Sequence, residues 1–166
     1  MTNGPAYHEA AHAVVAWLLG HRVRLTVDPA DPRILGRTAS GHCEILNPQC
    51  TAEDNLMVAL APLAAGCPAW DCADDLIQAT AFAVAISNNP TTKLRDSIVG
   101  VKNIVDLPRV GRMIETLAEA LRKAGTLGPD AVERAIARAA GPQKDRNRPK
   151  RPRKANKKRK APRKPS

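Results

Sequence analysis

Apolar positions along the chain fall into a series of short segments, most of them at helical spacing. The first runs from Ala6 to Leu19 and is almost wholly Ala, Val, Leu and Trp apart from a polar insert at residues 7–9 and His12. Asn3 can cap this helix, Pro5 suits a first turn in which a missing N–H costs nothing, and Gly20 stops it. Residues 22–27 change period: Val23, Leu25 and Val27 alternate with Arg22, Arg24 and Thr26, the pattern of a half-buried strand. Pro29, Pro32 and Gly36 break the chain, and Thr38–Leu46 gives a second strand that Gly41 weakens.

Helical spacing resumes at Thr51 and ends near Gly66-Cys67-Pro68. A further helix opens at Asp71 or Cys72 and continues through Ile86, closed by Ser87-Asn88-Asn89-Pro90. Two more are expected over about 92–105 and 108–124. Leu127-Gly128-Pro129-Asp130 then reads as a turn into a last helix over about 131–140. No internal repeat is present.

Composition agrees with this helical pattern. Of 166 residues 43% are hydrophobic, yet there are only one Phe, one Tyr and two Trp. A core of Ala, Val and Leu favours close-packed helices over a large β-sandwich. The expected fold is therefore mostly α (α+β), a helical domain with a small β element over residues 1–141. Residues 142–166 are different in kind. They hold 13 Lys/Arg against one acid, Asp145, a charge of +12 within a chain total of +10; residues 1–141 carry 13 Lys/Arg against 15 Asp/Glu, or −2. With no apolar periodicity this tail cannot bury enough surface to offset the entropy of ordering, and disorder is expected there.

No signal peptide is expected, because the chain runs from Met1 directly into a helix bearing ionisable groups. Ala10–Gly20 and Leu56–Cys67 are about half the length of a membrane span, and Pro62 interrupts the second. A soluble, cytoplasmic protein with no membrane partner is the expectation. Cys43, Cys50, Cys67 and Cys72 form no CxxC pair, which speaks against a zinc ribbon and for four free thiols in a reducing compartment.

Candidate chemistry lies in the first helix. His8-Glu9-Ala10-Ala11-His12 is an HExxH motif. Residues four apart share a helix face about 6 Å apart, so both imidazoles can reach one Zn²⁺ at about 2.0–2.1 Å. Glu9 is rotated about 100° from His8, badly placed as a ligand but well placed as general base for the metal's water. Ala10, Ala11 and Ala13 let neighbouring elements come close. A zinc site needs a third protein ligand. His21 and His42 are candidates, but His21 falls past the helix end and His42 lies in the weak strand. Asp71, Asp74 and Asp75 cluster at a helix start. Asp75 heads a stripe continuing through Ala79, Phe82, Ala83 and Ile86, whereas the stripe from Asp74 meets Gln78. A carboxylate at the head of a buried stripe needs a partner, which selects Asp75; the competing reading is that these acids only complement the helix dipole.

Residues Ala6–Ala16, with Leu18-Leu19-Gly20 and the strand Val23–Val27 ending in Asp28-Pro29, resemble the peptidase domain of FtsH-type zinc metalloproteases, in which the motif reads HEAGHA. Asp74–Thr80 is similar to that family's later helix, Leu56–Gly66 to its apolar Ala/Gly-rich helix, and Leu117–Leu121 with Leu127-Gly128 to its closing helical pair. The likeness spans roughly residues 5–140 and is strongest at 6–20 and 74–80. It implies a mostly helical zinc peptidase acting on polypeptide substrates, with His8, His12 and Asp75 as ligands and Glu9 as catalytic base. Ala11 stands where the family has Gly, and Cys67-Pro68 departs from its usual continuation. The sequence contains no GxxxxGK[ST] phosphate loop and no transmembrane segment, so an ATP-independent peptidase of flexible segments is the expectation; ring assembly is left open.

The tail suggests a second partner. Lys150, Arg151, Arg153, Lys154, Lys157, Lys158, Arg159 and Lys160 would bind nucleic acid non-specifically by counterion release. No aromatic residue interleaves them, so base stacking is not expected. The bland alternative is a solubilising or localising tail. Two rival functions stay open: a regulatory HExxH protease that cleaves a repressor near DNA, and a non-catalytic metal-binding module with a nucleic-acid-binding tail.

Overall fold

The alanine-rich helix α1, Pro5–Leu18, is the element around which the others pack. Ala6 and every residue from His8 to Ala16 are buried, and α1 touches α2, α3, α6, α7, β1 and β2, whose spans are given below. Ala10, Ala11, Ala13 and Ala16 present only methyl groups, so these neighbours approach its axis closely. Gly4 occupies the N-cap position with no side-chain cap. The helix ends before Gly20, whose φ of +89° lies in the left-handed region that favours glycine. The structure is a computed structural model, and it describes residues 4–27, 41–47 and 49–141. Asn3, the Pro29–Gly36 break and the basic tail of residues 142–166 lie outside the described residues.

Among the described residues three antiparallel strands lie against α1 in the order β2-β1-β3. β1 is Val23–Val27, β2 Gly41–Ile45 and β3 Thr126–Leu127. The register pairs Val23 with Ile45, Leu25 with Cys43 and Val27 with Gly41, and on the other side Leu25 with Leu127. Val23 and Leu25 are buried, as the alternation requires. β3 was not expected; two residues are too few to show a period of two.

The remaining helices are α2 Ala52–Ala59, α3 Ala61–Ala64, α4 Ala73–Ile86, α5 Pro90–Val105, α6 Pro108–Ala124 and α7 Pro129–Ala140. The single helix expected over Thr51–Gly66 is two, broken at Leu60. Pro62 explains the break, since it has no N–H to give and its ring crowds the carbonyl four residues back. Thr51 starts α2 with a capping box: its Oγ1 accepts from the Asp54 N–H at 3.1 Å, and Asp54 Oδ2 accepts from the Thr51 N–H at 3.1 Å. Asn89 serves as N-cap of α5, accepting from the Thr92 N–H, with Pro90 in the first turn. The segment expected to close one helix therefore also opens the next. Val110, Met113, Ile114, Leu117, Ala118 and Leu121 of α6 complete the core with Val132 and Ile136 of α7. The molecule is thus mostly helical with a small antiparallel sheet, and no helix among the described residues is long and apolar enough to cross a membrane.

The capping box gives a direct test of local stability. Thr51→Ala removes the side-chain acceptor and is expected to cost about 1 kcal/mol in a denaturant titration; an unchanged midpoint would contradict the assignment.

Candidate metal centre

His8 and His12 stand one turn apart on α1 and are 8% and 7% exposed, with Glu9 between them at 6%. Their Nε2 atoms are 3.2 Å apart. Asp75, in the first turn of α4, completes the group. Its Oδ2 lies 3.0 Å from His8 Nε2 and its Oδ1 3.3 Å from His12 Nε2. α4 is carried to this position mainly by its packing on α2 and α5. Ala79 and Ala83 are buried and Phe82 is half-buried, so the stripe headed by Asp75 does face inward. Ile86 departs from that reading: it is exposed at the end of α4. Asp74 and Gln78 are exposed at the edge of the cleft.

Ligands arranged tetrahedrally around zinc at about 2.0–2.1 Å stand about 3.4 Å from one another. The two Nε2 atoms are 3.2 Å apart, and each has one Asp75 carboxylate oxygen at a similar separation, Oδ2 at 3.0 Å from His8 and Oδ1 at 3.3 Å from His12, close to that edge length. Two imidazoles and one carboxylate are also the donor types that suit zinc. His12 is oriented for the task. Its Nδ1 lies 2.8 Å from the Val58 carbonyl, and because a carbonyl only accepts, Nδ1 must donate, which leaves Nε2 as the ring atom that faces His8 and Asp75 and could bind a metal. The Val58 carbonyl serves this role because its helical partner four residues on would be Pro62, which has no N–H. His8 is less fully served. Its Nδ1 is buried without a hydrogen bond, and Asp71 Oδ2 approaches it only to 3.7 Å.

Electrostatics tie the group together. Burial works against a charged His8, but the hydrogen bond to Asp75, with help from Cys67 and from the charges of Asp75 and Glu9, outweighs it and pushes the ring up to about 10. Burial likewise opposes ionised Asp75, yet the hydrogen bonds from His12 and His8 hold it well below the usual carboxylate range. A metal at these atoms must displace the His8 proton, so its binding strengthens as pH rises. Glu9 is shifted the other way: burial raises it, only partly countered by the charges of His12 and His8. A carboxyl raised toward neutrality suits a general base.

Gly41 of β2 gives Glu9 its space. A Cβ at residue 41 would lie 2.3 Å from Glu9 Cγ and 2.5 Å from Oε1. The glycine that looked like a weakness in the strand is the point where backbone and catalytic candidate meet. Around the group is a cleft of 540 Å³, lined by β2 from Gly41 to Cys43, by Ile45, and by Trp70 and the start of α4. His42, an alternative third ligand, lines this cleft, whereas the other alternative, His21, lies elsewhere beside Cys50 and Asp54. Val58 had no assigned role in the sequence; Gly41 was read only as a weakness in the strand, Asp71 as one of three clustered acids and Cys67 as a free thiol. Pro62 was visible as a break, but a backbone carbonyl leaves no residue signature. All four cysteines are free thiols. The basic residues from Lys150 to Lys160 lie outside the described residues.

The two neighbouring acids should behave differently. Asp75→Ala is expected to lower zinc affinity at least tenfold in a chelator competition, and Asp74→Ala to leave it within about twofold; equal losses would remove Asp75 from the ligand set. Neither models of known protein families nor curated proteins gave a match to this chain.

Proposed function

We propose that the chain is a zinc-dependent metallopeptidase that cleaves peptide bonds in flexible protein segments, an FtsH-peptidase-like domain working without ATP. The observation that carries this reading is the convergence of His8 Nε2, His12 Nε2 and both Asp75 carboxylate oxygens beside a buried Glu9. A zinc ion bound there would supply a Lewis acid that polarises a carbonyl and lowers the pKa of water. His8, His12 and Asp75 hold and orient the ion. Glu9 accepts a proton from the attacking water and returns it to the amide nitrogen as the C–N bond breaks, leaving a carboxylate and an amine. Burial keeps its carboxyl basic enough to do so.

Access to the site supports flexible segments as the substrate class. The histidines lie at the buried floor of the cleft, so a peptide bond reaches them only on an extended, unfolded segment. Among the described residues β2 is at the edge of the sheet, and it borders the cleft, where an incoming strand could pair with it. The 13 cations of residues 142–166 would add a non-specific contact with polyanions.

Glu9→Gln tests the chemistry. The variant is expected to bind zinc like the wild type and to cleave an unstructured polypeptide about 100- to 10,000-fold more slowly. Gly41→Ala is expected to lower kcat while zinc content holds, because the new Cβ displaces the Glu9 carboxyl. Zinc-loaded wild type that cleaves no unstructured polypeptide, or Glu9→Gln of full activity, would overturn the proposal.

A further inference from the structure

We propose that the end of α1 and the start of α2 form a second metal site, in which His21, Cys50 and Asp54 bind a zinc ion. A ring nitrogen of His21, the Cys50 Sγ and a carboxylate oxygen of Asp54 all lie within 4.8 Å of one another. The group is separate from the first: none of the three lines the cleft above His8 and His12.

The second observation concerns His21 alone. Its side chain is 5% exposed. Nε2 faces Asp54 Oδ2 at 3.2 Å, within ion-pair distance, and Nδ1 is buried without a hydrogen bond among the described residues. A buried imidazole whose Nδ1 is unserved and whose Nε2 meets only a carboxylate is an unusual use of a polar side chain. A cation between His21 Nε2 and Asp54 Oδ2 would be held by both at once. The 3.2 Å separation is again near the about 3.4 Å edge of a zinc tetrahedron.

Donor chemistry selects the ion. A thiolate and an imidazole disfavour calcium and magnesium, which take oxygen ligands, and with one carboxylate they form a mixed S, N, O set suited to zinc. The Cys50 thiol hydrogen-bonds to Asn55 Oδ1 at 3.3 Å; on binding, its S–H bond breaks, the proton goes to solvent and the sulfur pair goes to the metal. No electron is transferred. Asp54 keeps its place through the bonds that Thr51 donates to its Oδ2.

Position gives the site a structural role. His21 directly follows the Gly20 stop of α1, and Cys50 and Asp54 bracket the Thr51 cap of α2. An ion here fastens α1, which carries His8 and His12, to α2, which carries the Val58 carbonyl that orients His12. The peptidase reading is not needed for any of these points.

The test is metal counting on the full chain, loaded with zinc and desalted, and then with cobalt in place of zinc. Wild type is expected to hold two zinc ions, and His21→Ala and Cys50→Ser one each. Cobalt-loaded wild type is expected to show a thiolate-to-cobalt charge-transfer band that Cys50→Ser abolishes and the His8→Ala/His12→Ala double variant retains. Cys50→Ser alters one half-exposed atom, and an unchanged far-ultraviolet circular dichroism spectrum checks that it folds. One zinc, lost in the His8/His12 variant and kept in Cys50→Ser, would overturn the second site. A charge-transfer band that survives Cys50→Ser would also overturn it, by assigning the thiolate to Cys43, Cys67 or Cys72. One zinc lost in Cys50→Ser and kept in the His8/His12 variant would support this site and contradict the peptidase reading instead.

Discussion

Burying His8, Glu9 and His12 on a helix that is otherwise largely alanine, valine and leucine obliges their polar atoms to find partners inside the protein, and much of the fold can be understood as supplying them. α1 is enclosed by the sheet and by four other helices, and these side chains meet solvent only through the cleft, so water can do little of that work. The Val58 carbonyl takes the His12 Nδ1–H. The Asp75 carboxylate meets both Nε2 atoms. The bare backbone at Gly41 leaves room for the Glu9 side chain. The two partners come from α2 and α4 and the space for Glu9 from β2, so the site is assembled from several elements of the folded domain.

Two breaks in regular structure turn out to be part of this arrangement. Pro62 ends α2 early and thereby leaves the Val58 carbonyl without its helical donor. Gly41 lacks the side chain that a strand residue would normally pack, and Glu9 fills that space. Stronger local structure at either position, alanine for proline or valine for glycine, would better satisfy helix or strand propensity and would disturb the histidine or the carboxylate. Local rules yield here to the needs of the buried polar group.

These examples also show what the sequence made legible. α1 and α6 were readable because their apolar spacing is sustained over three or four turns, and β1 because its alternation is unbroken. Asp75 was separable from Asp74 because Ala79 and Ala83 follow it at helical spacing, and both are buried. Contacts made through backbone atoms were not readable: the Val58 carbonyl has no residue signature, and β3 spans only two residues. His21 was weighed only as a third ligand to the first pair of histidines. Its position beside Cys50 and Asp54 depends on how α1 and α2 meet, which no local pattern encodes. Ile86 failed the opposite way, continuing the Asp75 stripe in sequence but ending beyond the elements that would cover it.

The central claim is that His8, His12 and Asp75 hold one zinc ion. Anomalous diffraction at the zinc absorption edge, from a crystal of the zinc-loaded protein, tests it most directly. This arrangement predicts an anomalous peak at about 2.0–2.2 Å from His8 Nε2, His12 Nε2 and an Asp75 carboxylate oxygen. A zinc-loaded crystal with no peak between these three residues, whatever signal it showed elsewhere, would contradict the claim.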